Sequence, residues 1–243
     1  MGIFRTQREP ELTFFRNQQH THQFGNSDEW KNESNILGIT QECRVDIPSW
    51  QERYKYEANI LSKIINEHKL FKIIELGSGP GELGQKIIEN SKTSLDYTFV
   101  DQQGAKEIFD NRSYSGKFKV IDMMNNFDTV DLDRDYDFLI ANDFLEHIYN
   151  PSIVIQESYK IIRDGGKMFV SVPNWRMGHT FIYRGLFDYD NFIYFMFTHG
   201  FEICGIYESI LKCNSTLKLS SESEMDDRLI NSWNWYMLFD KRK

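Results

Sequence analysis

A short run of glycines carries the clearest chemical signal in this chain. Residues 77–81 read Gly-Ser-Gly-Pro-Gly and directly follow residues 73–76, Ile-Ile-Glu-Leu, an apolar run with one acidic residue. Because glycine has no Cβ, such a turn lets the backbone approach a ligand closely. Leu83 and Ile87 then recur at a helical spacing. The glycines are therefore predicted to form the turn between a strand and the following helix in an open α/β sheet. Such sheets bind nucleosides at this position.

Two patterns can be read in this turn. Gly79, Gly81 and Gly84 satisfy G-x-G-x-x-G, and Asp101 lies about 20 residues further on, as a site for NAD requires. Read from Glu75, the same residues also spell E-x-G-x-G-x-G. The spelling of the turn alone does not decide between an NAD site and another nucleoside site.

The chain after the turn alternates between strand and helix patterns. Short apolar runs at residues 97–101, 118–122, 136–142 and 167–173 predict four further strands. Asp101 closes the first of them, where a carboxylate can accept hydrogen bonds from both hydroxyls of a ribose. The alternation is typical of a doubly wound α/β domain.

The helix between the last two of these strands has local start and stop signals. Asn150 can cap it, Pro151 suits its first position, and Gly165 fits the left-handed residue past its end. Outside this region, the patterns predict helices over residues 51–67 and 187–200 and strands over residues 201–207 and 233–240.

In this order the motifs resemble those of class I S-adenosylmethionine (SAM) dependent methyltransferases, from about residue 72 to residue 207. The E-x-G-x-G-x-G turn resembles their motif I. Residues 144–151, Phe-Leu-Glu-His-Ile-Tyr-Asn-Pro, resemble the L-E-H-x-x-x-P signature of the subgroup that includes ubiquinone-biosynthesis O-methyltransferases. The resemblance implies one Rossmann-like doubly wound domain with a mostly parallel seven-stranded sheet, its last strand antiparallel.

The resemblance also implies SAM as the methyl donor and S-adenosylhomocysteine (SAH) as its product. Asp122 is expected at the exocyclic amine of adenine and Met123 against its ring. Arg53, Tyr54 and Tyr56 are candidates for the methionine end, with a purely structural role as the alternative. The expected cofactor-binding residues are Glu75, Gly77, Ser78, Gly79, Gly81, Asp101, Gln102, Asp122, Met123, Asn142 and Asp143.

His147 is the candidate catalytic base. Methyl transfer to a hydroxyl requires a group that takes the hydroxyl proton, and histidine is the side chain best matched to neutral pH. His147 follows the fourth strand by a few residues, near the edge where the sulfonium is expected. The alternative is that Glu146 and His147 orient the loop through hydrogen bonds, and the sequence leaves both roles open.

Residues 1–50 differ from the methyltransferase domain expected over residues 51–243. They are polar yet contain Phe14 and Trp30, and aromatic residues are scarce in disordered segments. We expect this arm to act as a lid over the cofactor crevice, with packing in the fold or in an oligomer as the alternative. Residues 175–189 are expected to face the acceptor, and residues 209–231 form an insertion of unassigned role.

Composition narrows the class of substrate. The 243 residues carry a formal charge of -8, which argues against a broad phosphate-binding face, so nucleic acid is an unlikely partner.

No stretch has the length of a membrane span. Three cysteines without metal spacing indicate a reduced, cytoplasmic location and no metal site. Oligomeric state is not encoded in any motif.

Three functions remain open from the sequence. The first is methylation of a small-molecule acceptor of unknown identity, with a hydroxyl oxygen expected. The second is methylation of a protein or RNA acceptor. The third is SAM binding without catalysis, or an NAD-dependent oxidoreductase that shares the glycine turn.

Overall fold

The computed structural model of the chain describes residues 12–13, 48–123, 127, 131–173, 182–183, 186, 188–207 and 234–243. Within these ranges, five α-helices, nine strands and one short 3-10 turn are formed. The helices are α1 (Pro48–His68), α2 (Glu82–Asn90), α3 (Gln103–Arg112), α4 (Pro151–Ile161) and α5 (Tyr189–Thr198), and the 3-10 turn is Leu145–His147. The strands are β1 (Leu12–Thr13), β2 (Lys72–Leu76), β3 (Asp96–Asp101), β4 (Lys117–Val120), β5 (Tyr136–Asn142), β6 (Ile162–Pro173), β7 (Ile182–Tyr183), β8 (Phe201–Tyr207) and β9 (Asn234–Lys241).

Seven strands of the described chain form one sheet in the order β4-β3-β2-β5-β6-β9-β8. The first five are parallel to their neighbours, whereas β9 is antiparallel to both β6 and β8. The chain runs outward in one direction from β2 and in the other from β5, so the two central strands form a topological switch point. Such a switch point opens a crevice at the carboxyl ends of the strands. The predicted Rossmann-like fold is confirmed.

Both faces of the sheet are covered by helices. Ile73 packs with Leu61 of α1 and Phe109 of α3 in one apolar cluster. Its neighbour Ile74 packs with Ile155 of α4 in a second cluster on the opposite face. Because successive strand residues point to opposite faces, strands buried on both sides require continuous apolar runs. This is why the central strands could be located from the sequence.

The join between α4 and β6 differs from the prediction. The helix ends at Ile161 and the strand begins at once, whereas the sequence had indicated a helix continuing almost to Gly165. The pairing of β5 with β6 shifts between the pairs Tyr136–Ile162 and Phe138–Lys167. Residues 163–166 of β6 therefore lie opposite the single residue Asp137 of β5 and form a bulge. Gly165 adopts its positive φ of +69° inside that bulge. A glycine that looked like a helix stop therefore serves a strand irregularity.

Other boundaries shift by one to three residues. β4 ends at Val120, short of the predicted Asp122, although Ile121 still donates its N–H to the carbonyl of Asp101 at 3.0 Å. Pro151 occupies the first turn of α4 as predicted. Asn150 stands at the cap position, but its side chain makes no capping hydrogen bond, so that detail of the prediction was wrong.

Some predictions lie outside the described residues: the insertion at 209–231, residues 175–181 of the acceptor segment and most of the arm. In the part of the chain that is described, no helix has both the length and the apolar character needed to cross a membrane.

Candidate functional site

The glycine turn connects β2 to α2 at the switch point. The N–H groups of Gly77 and Ser78 both donate to the carbonyl of Val100 at the end of β3, at 2.9 and 3.2 Å. Gly81 closes the turn by donating to the carbonyl of Ser78 at 3.1 Å. Backbone hydrogen bonds therefore fix the turn against the neighbouring strand before any ligand binds.

The glycines of this turn have different physical roles. A Cβ on Gly77, whose φ is +66°, would lie 2.4 Å from the ring of Phe144. A Cβ on Gly81 would lie 2.7 Å from the ring of Phe109. A Cβ on Gly79 would meet no atom of the described residues within 4 Å, although its φ of +54° is also in the left-handed region. Gly79 is therefore the position where bare backbone faces open space that a ligand can enter.

Asp101 at the end of β3 is tied to this open position. Its carboxylate accepts the N–H of Gly79 and the N–H of Gln102, each at 2.7 Å. Burial raises the pKa of the Asp101 carboxyl, and the two N–H donors act in the opposite direction. An ionised carboxylate has about four acceptor positions. Asp101 can therefore accept two further hydrogen bonds from a ligand.

Glu75 lies beneath the turn rather than at its rim. It is buried, and it accepts the hydroxyl of Tyr97 at 2.9 Å. A Cβ on Gly84 would lie 2.6 Å from the same carboxyl oxygen, so the start of α2 packs directly on this group. Burial is the main cause that raises the pKa of Glu75 to about 8. Its described contacts are with the protein, and its role toward the cofactor stays a prediction.

Asp122 and Met123 follow β4 at the outer side of the crevice. Asp122 is exposed, whereas Met123 is buried and belongs to the apolar cluster that includes Val100 and Phe127. An exposed carboxylate is suited to a polar contact with a ligand, and a buried methionine is suited to an apolar contact. Their assignment to the adenine stays a prediction.

At the end of β5, Asp143 adopts a left-handed conformation with φ +48°. Its carboxylate accepts hydrogen bonds from Arg53, from the hydroxyl of Ser171 and, at 2.5 Å, from the amide of Asn234. Asp143 was predicted to line the cofactor. The structure gives its carboxylate three donors from the protein, which hold the chain at the end of β5 in place.

Glu57 is a buried site residue that the sequence reasoning missed. Its carboxylate is 1% exposed and accepts hydrogen bonds from Arg53 Nε (2.7 Å), Tyr236 Oη (2.7 Å) and Asn142 Nδ2 (3.1 Å). The signal was present, because a carboxylate directly beside Ala58 interrupts the apolar stripe of α1. Tyr236 could not be connected to it from the sequence, since 179 residues separate the two.

Arg53 and Asn142 lie between these two carboxylates. The guanidinium of Arg53 joins Glu57 to Asp143, so α1 is fastened to the end of β5. The amide nitrogen of Asn142 faces Glu57, and its buried Oδ1 has no hydrogen-bond partner in the described structure. Asn142 therefore retains one acceptor for a ligand at the switch point.

The 3-10 turn after β5 carries Glu146 and His147. The N–H of His147 donates to the carbonyl of Phe144 at 3.0 Å, and its side chain is half-buried. Glu146 is 1% exposed, and its Oε2 accepts no hydrogen bond in the described structure. An unsatisfied buried polar group costs about 1–3 kcal/mol. Burial is the main cause that raises the pKa of Glu146 to about 8, and Arg53 opposes it.

The arm touches the acceptor segment at one described point. β1 pairs with β7 in antiparallel register, Leu12 with Tyr183 and Thr13 with Ile182. Residues near the start of the chain thus lie beside the segment that follows β6.

Comparisons with known proteins agree with this geometry. Residues 45–210 match the methyltransferase domain family. The chain is 26% identical over 130 residues to the hybrid PKS-NRPS synthetase LUC5 of a Fusarium species, a match that covers 50% of this chain and 3% of that protein. The chain thus spans a small fraction of the length of the curated relatives that it matches.

Solved structures show the same fold. The N-methyltransferase NodS of Bradyrhizobium japonicum, in complex with SAH, is 14% identical with a TM-score of 0.58, covering 88% of this chain and 98% of that one. The plantazolicin methyltransferase BpumL, also with SAH, is 13% identical with a TM-score of 0.55, covering 90% and 92%. Because the family match spans well over half of the chain, this protein belongs to the methyltransferase domain family.

Proposed function

We propose that this protein transfers a methyl group from SAM to a small-molecule acceptor, with a hydroxyl oxygen as the methyl-accepting atom. One observation carries the proposal. At the switch point, the open position of Gly79 is joined through its N–H to the carboxylate of Asp101. Bare backbone beside a carboxylate with free acceptor positions suits a nucleoside whose ribose carries two hydroxyls.

The residues on the donor side fit SAM. Asp101 would accept the ribose hydroxyls, while the free Oδ1 of Asn142 would accept a donor such as the ammonium of the methionine end. When bound, SAM supplies an electrophilic methyl group on a sulfonium. The contacts proposed for the rest of the cofactor are the turn residues Glu75, Gly77, Ser78 and Gly81 and the outer residues Gln102, Asp122, Met123 and Asp143.

On the acceptor side, the chain has to hold the nucleophile in line and keep water out. We assign the hydroxyl proton to His147, because the turn that carries it directly follows β5 at the switch point. The hydrogen bond from its backbone to Phe144 fixes that turn, and Phe144 itself packs at the glycine turn. The base and the donor site are therefore built on adjacent backbone segments.

Several observations support a small acceptor. The curated relatives are synthetases of the polyketide and PKS-NRPS kind, and BpumL is named for plantazolicin. The charge of -8 disfavours a nucleic-acid acceptor. The L-E-H-x-x-x-P signature favours the O-methyltransferase subgroup, and the β1–β7 pairing favours an arm that covers the acceptor side. The cysteine pattern favours a cytoplasmic location.

Calorimetry on the full chain tests the donor. We expect SAM and SAH to bind and NAD not to bind. Asp101→Ala should weaken SAM binding by roughly 10²-fold, because a hydrogen bond to a charged group contributes about 1.5–3 kcal/mol. Asp110→Ala, an exposed carboxylate on α3 paired with Lys106, is the matched control and should bind SAM normally.

Two outcomes would reject the proposed donor. Binding of NAD without SAM would make the chain a nucleotide-dependent protein of another class. Equal SAM affinity in the Asp101 variant and in the control would move the ribose site elsewhere.

A further inference from the structure

Glu146 is a buried carboxyl group that the fold does not satisfy. Its neighbours in the chain, Phe144, Leu145 and Ile148, are all buried apolar residues. Its carboxyl is contacted by the N–H of its own residue, while Oε2 accepts nothing in the described structure. Buried polar groups in folded proteins are almost always hydrogen-bonded, so an exception needs a physical reason.

A structural reason is not visible in the described part of the chain. The nearby cation is Arg53, whose guanidinium is already hydrogen-bonded to Glu57 and Asp143. That arginine therefore already has two carboxylates as partners. Among the described residues, therefore, neither a hydrogen bond to Oε2 nor a cation of its own stabilises the buried Glu146.

The turn that carries Glu146 adjoins the proposed donor site. Phe144, two residues earlier, lies where a Cβ on Gly77 would be, so this turn packs against the glycine turn. Asn142, at the end of β5 just before this turn, presents a second buried acceptor that has no partner among the described residues. Two unsatisfied acceptors on one short segment beside the glycine turn point to a ligand that carries positive charge or hydrogen-bond donors.

We propose that Glu146 distinguishes the cationic methyl donor from its neutral product, by providing a carboxylate that attracts the sulfonium of SAM and has no such charge to attract in SAH. The inference rests on the proposed function, since it assumes that SAM binds at the glycine turn. SAM and SAH differ by one methyl group and one positive charge on sulfur. A carboxylate in a site of low dielectric therefore favours SAM, and the attraction ends once the methyl group has left. Glu146 would thereby promote exchange of product for fresh donor.

In this role, Glu146 couples the binding of SAM to the release of a proton. The free protein keeps Glu146 protonated near neutral pH because burial disfavours the anion. A sulfonium nearby favours the anion, so SAM binding should release the proton to solvent, while SAH binding should release less. Among the described residues, the charged group that acts on Glu146 is Arg53 from α1, which favours the anion. Glu57 and Asp143 are bonded to that arginine, and His147 follows Glu146 on the same turn.

The experiment measures proton release on binding of SAM and of SAH to the full-length protein. Calorimetry at pH 7.0 in phosphate and in Tris, whose ionisation enthalpies differ, gives the number of protons released. We expect a fraction of a proton up to one for SAM and clearly less for SAH. The ratio of SAM to SAH affinity should rise by up to about tenfold between pH 6.5 and 8.5, since a change of one pKa unit corresponds to a tenfold change in affinity.

Glu146→Gln keeps the shape and removes the charge. It should abolish the difference in proton release and bring the SAM and SAH affinities closer together. Glu107→Gln, an exposed glutamate on α3, is the matched control and should retain the wild-type difference. Circular dichroism melting would establish that the Glu146 variant folds. If it does not fold, equal proton release for SAM and SAH by the wild type would still refute the proposal.

Equal proton release for SAM and SAH by the wild type would overturn the inference. So would a Glu146→Gln variant that keeps the wild-type pH dependence. If neither SAM nor SAH binds to the wild type, the proposed function itself fails, and the two failures are therefore distinguishable.

Discussion

Glu75→Gln should remove the pH dependence of stability that this buried carboxyl creates. The pKa of Glu75 is about 8 in the folded chain against an ordinary value of 4.5, chiefly because of burial. Between these two pH values the folded state holds a proton that the unfolded state has released. Raising the pH through this interval therefore favours unfolding, by about 1.4 kcal/mol per pH unit for one proton. Above pH 8 the accumulated cost is on the order of 5 kcal/mol.

The glutamine variant cannot ionise, while it can still accept the hydroxyl of Tyr97. Its stability should therefore be close to that of the wild type at pH 5, within about 1 kcal/mol, and should exceed it by several kcal/mol at pH 8.5. Urea unfolding followed by circular dichroism at pH 5, 6, 7, 8 and 9 measures the difference at each pH. Glu146 titrates in both proteins, so its contribution cancels in the comparison.

Glu89→Gln, on the exposed end of α2, is the control and should leave the pH dependence unchanged. A difference between wild type and Glu75→Gln that stays constant from pH 5 to pH 9 would refute the reasoning. In that case the carboxyl would already be ionised beneath the glycine turn, and a cation or water would have to compensate it.

Two further predictions concern the site. His147→Ala should lower kcat by about 10²-fold or more with SAM affinity nearly intact, measured by SAH formation once an acceptor is found, and a near-normal rate would leave His147 with a structural role. Arg53→Met should lower the free energy of unfolding by about 3 kcal/mol, because it leaves Glu57 and Asp143 without their shared cation. Lys106→Met, which breaks an exposed pair, should cost less than about 1 kcal/mol, and equal losses in urea unfolding would contradict the assigned role of Arg53.

The parts of the site that are local in the chain could be predicted from the sequence. The glycine turn, Asp101 and the end of β5 each follow an apolar strand, and parallel strands bring their carboxyl ends to the same edge. The boundaries of β5 and β8 also matched. For β5 the reason is that a strand buried between two helical layers needs an unbroken apolar run. Gly165 was misread because a positive φ suits both a helix end and a bulge, and pairing with β5 decides between them.

What the sequence determined by itself is the order of the elements and the residues that follow each strand, since these depend on neighbours a few positions apart. The tertiary structure alone decided which charged groups face one another. Arg53 meets Asp143 across 90 positions, and Tyr236 meets Glu57 across 179. Such contacts depend on how α1, β5 and β9 pack, and no local pattern encodes that. The same packing buries Glu146, whose unusual pKa comes from desolvation by the fold and not from its place in a motif.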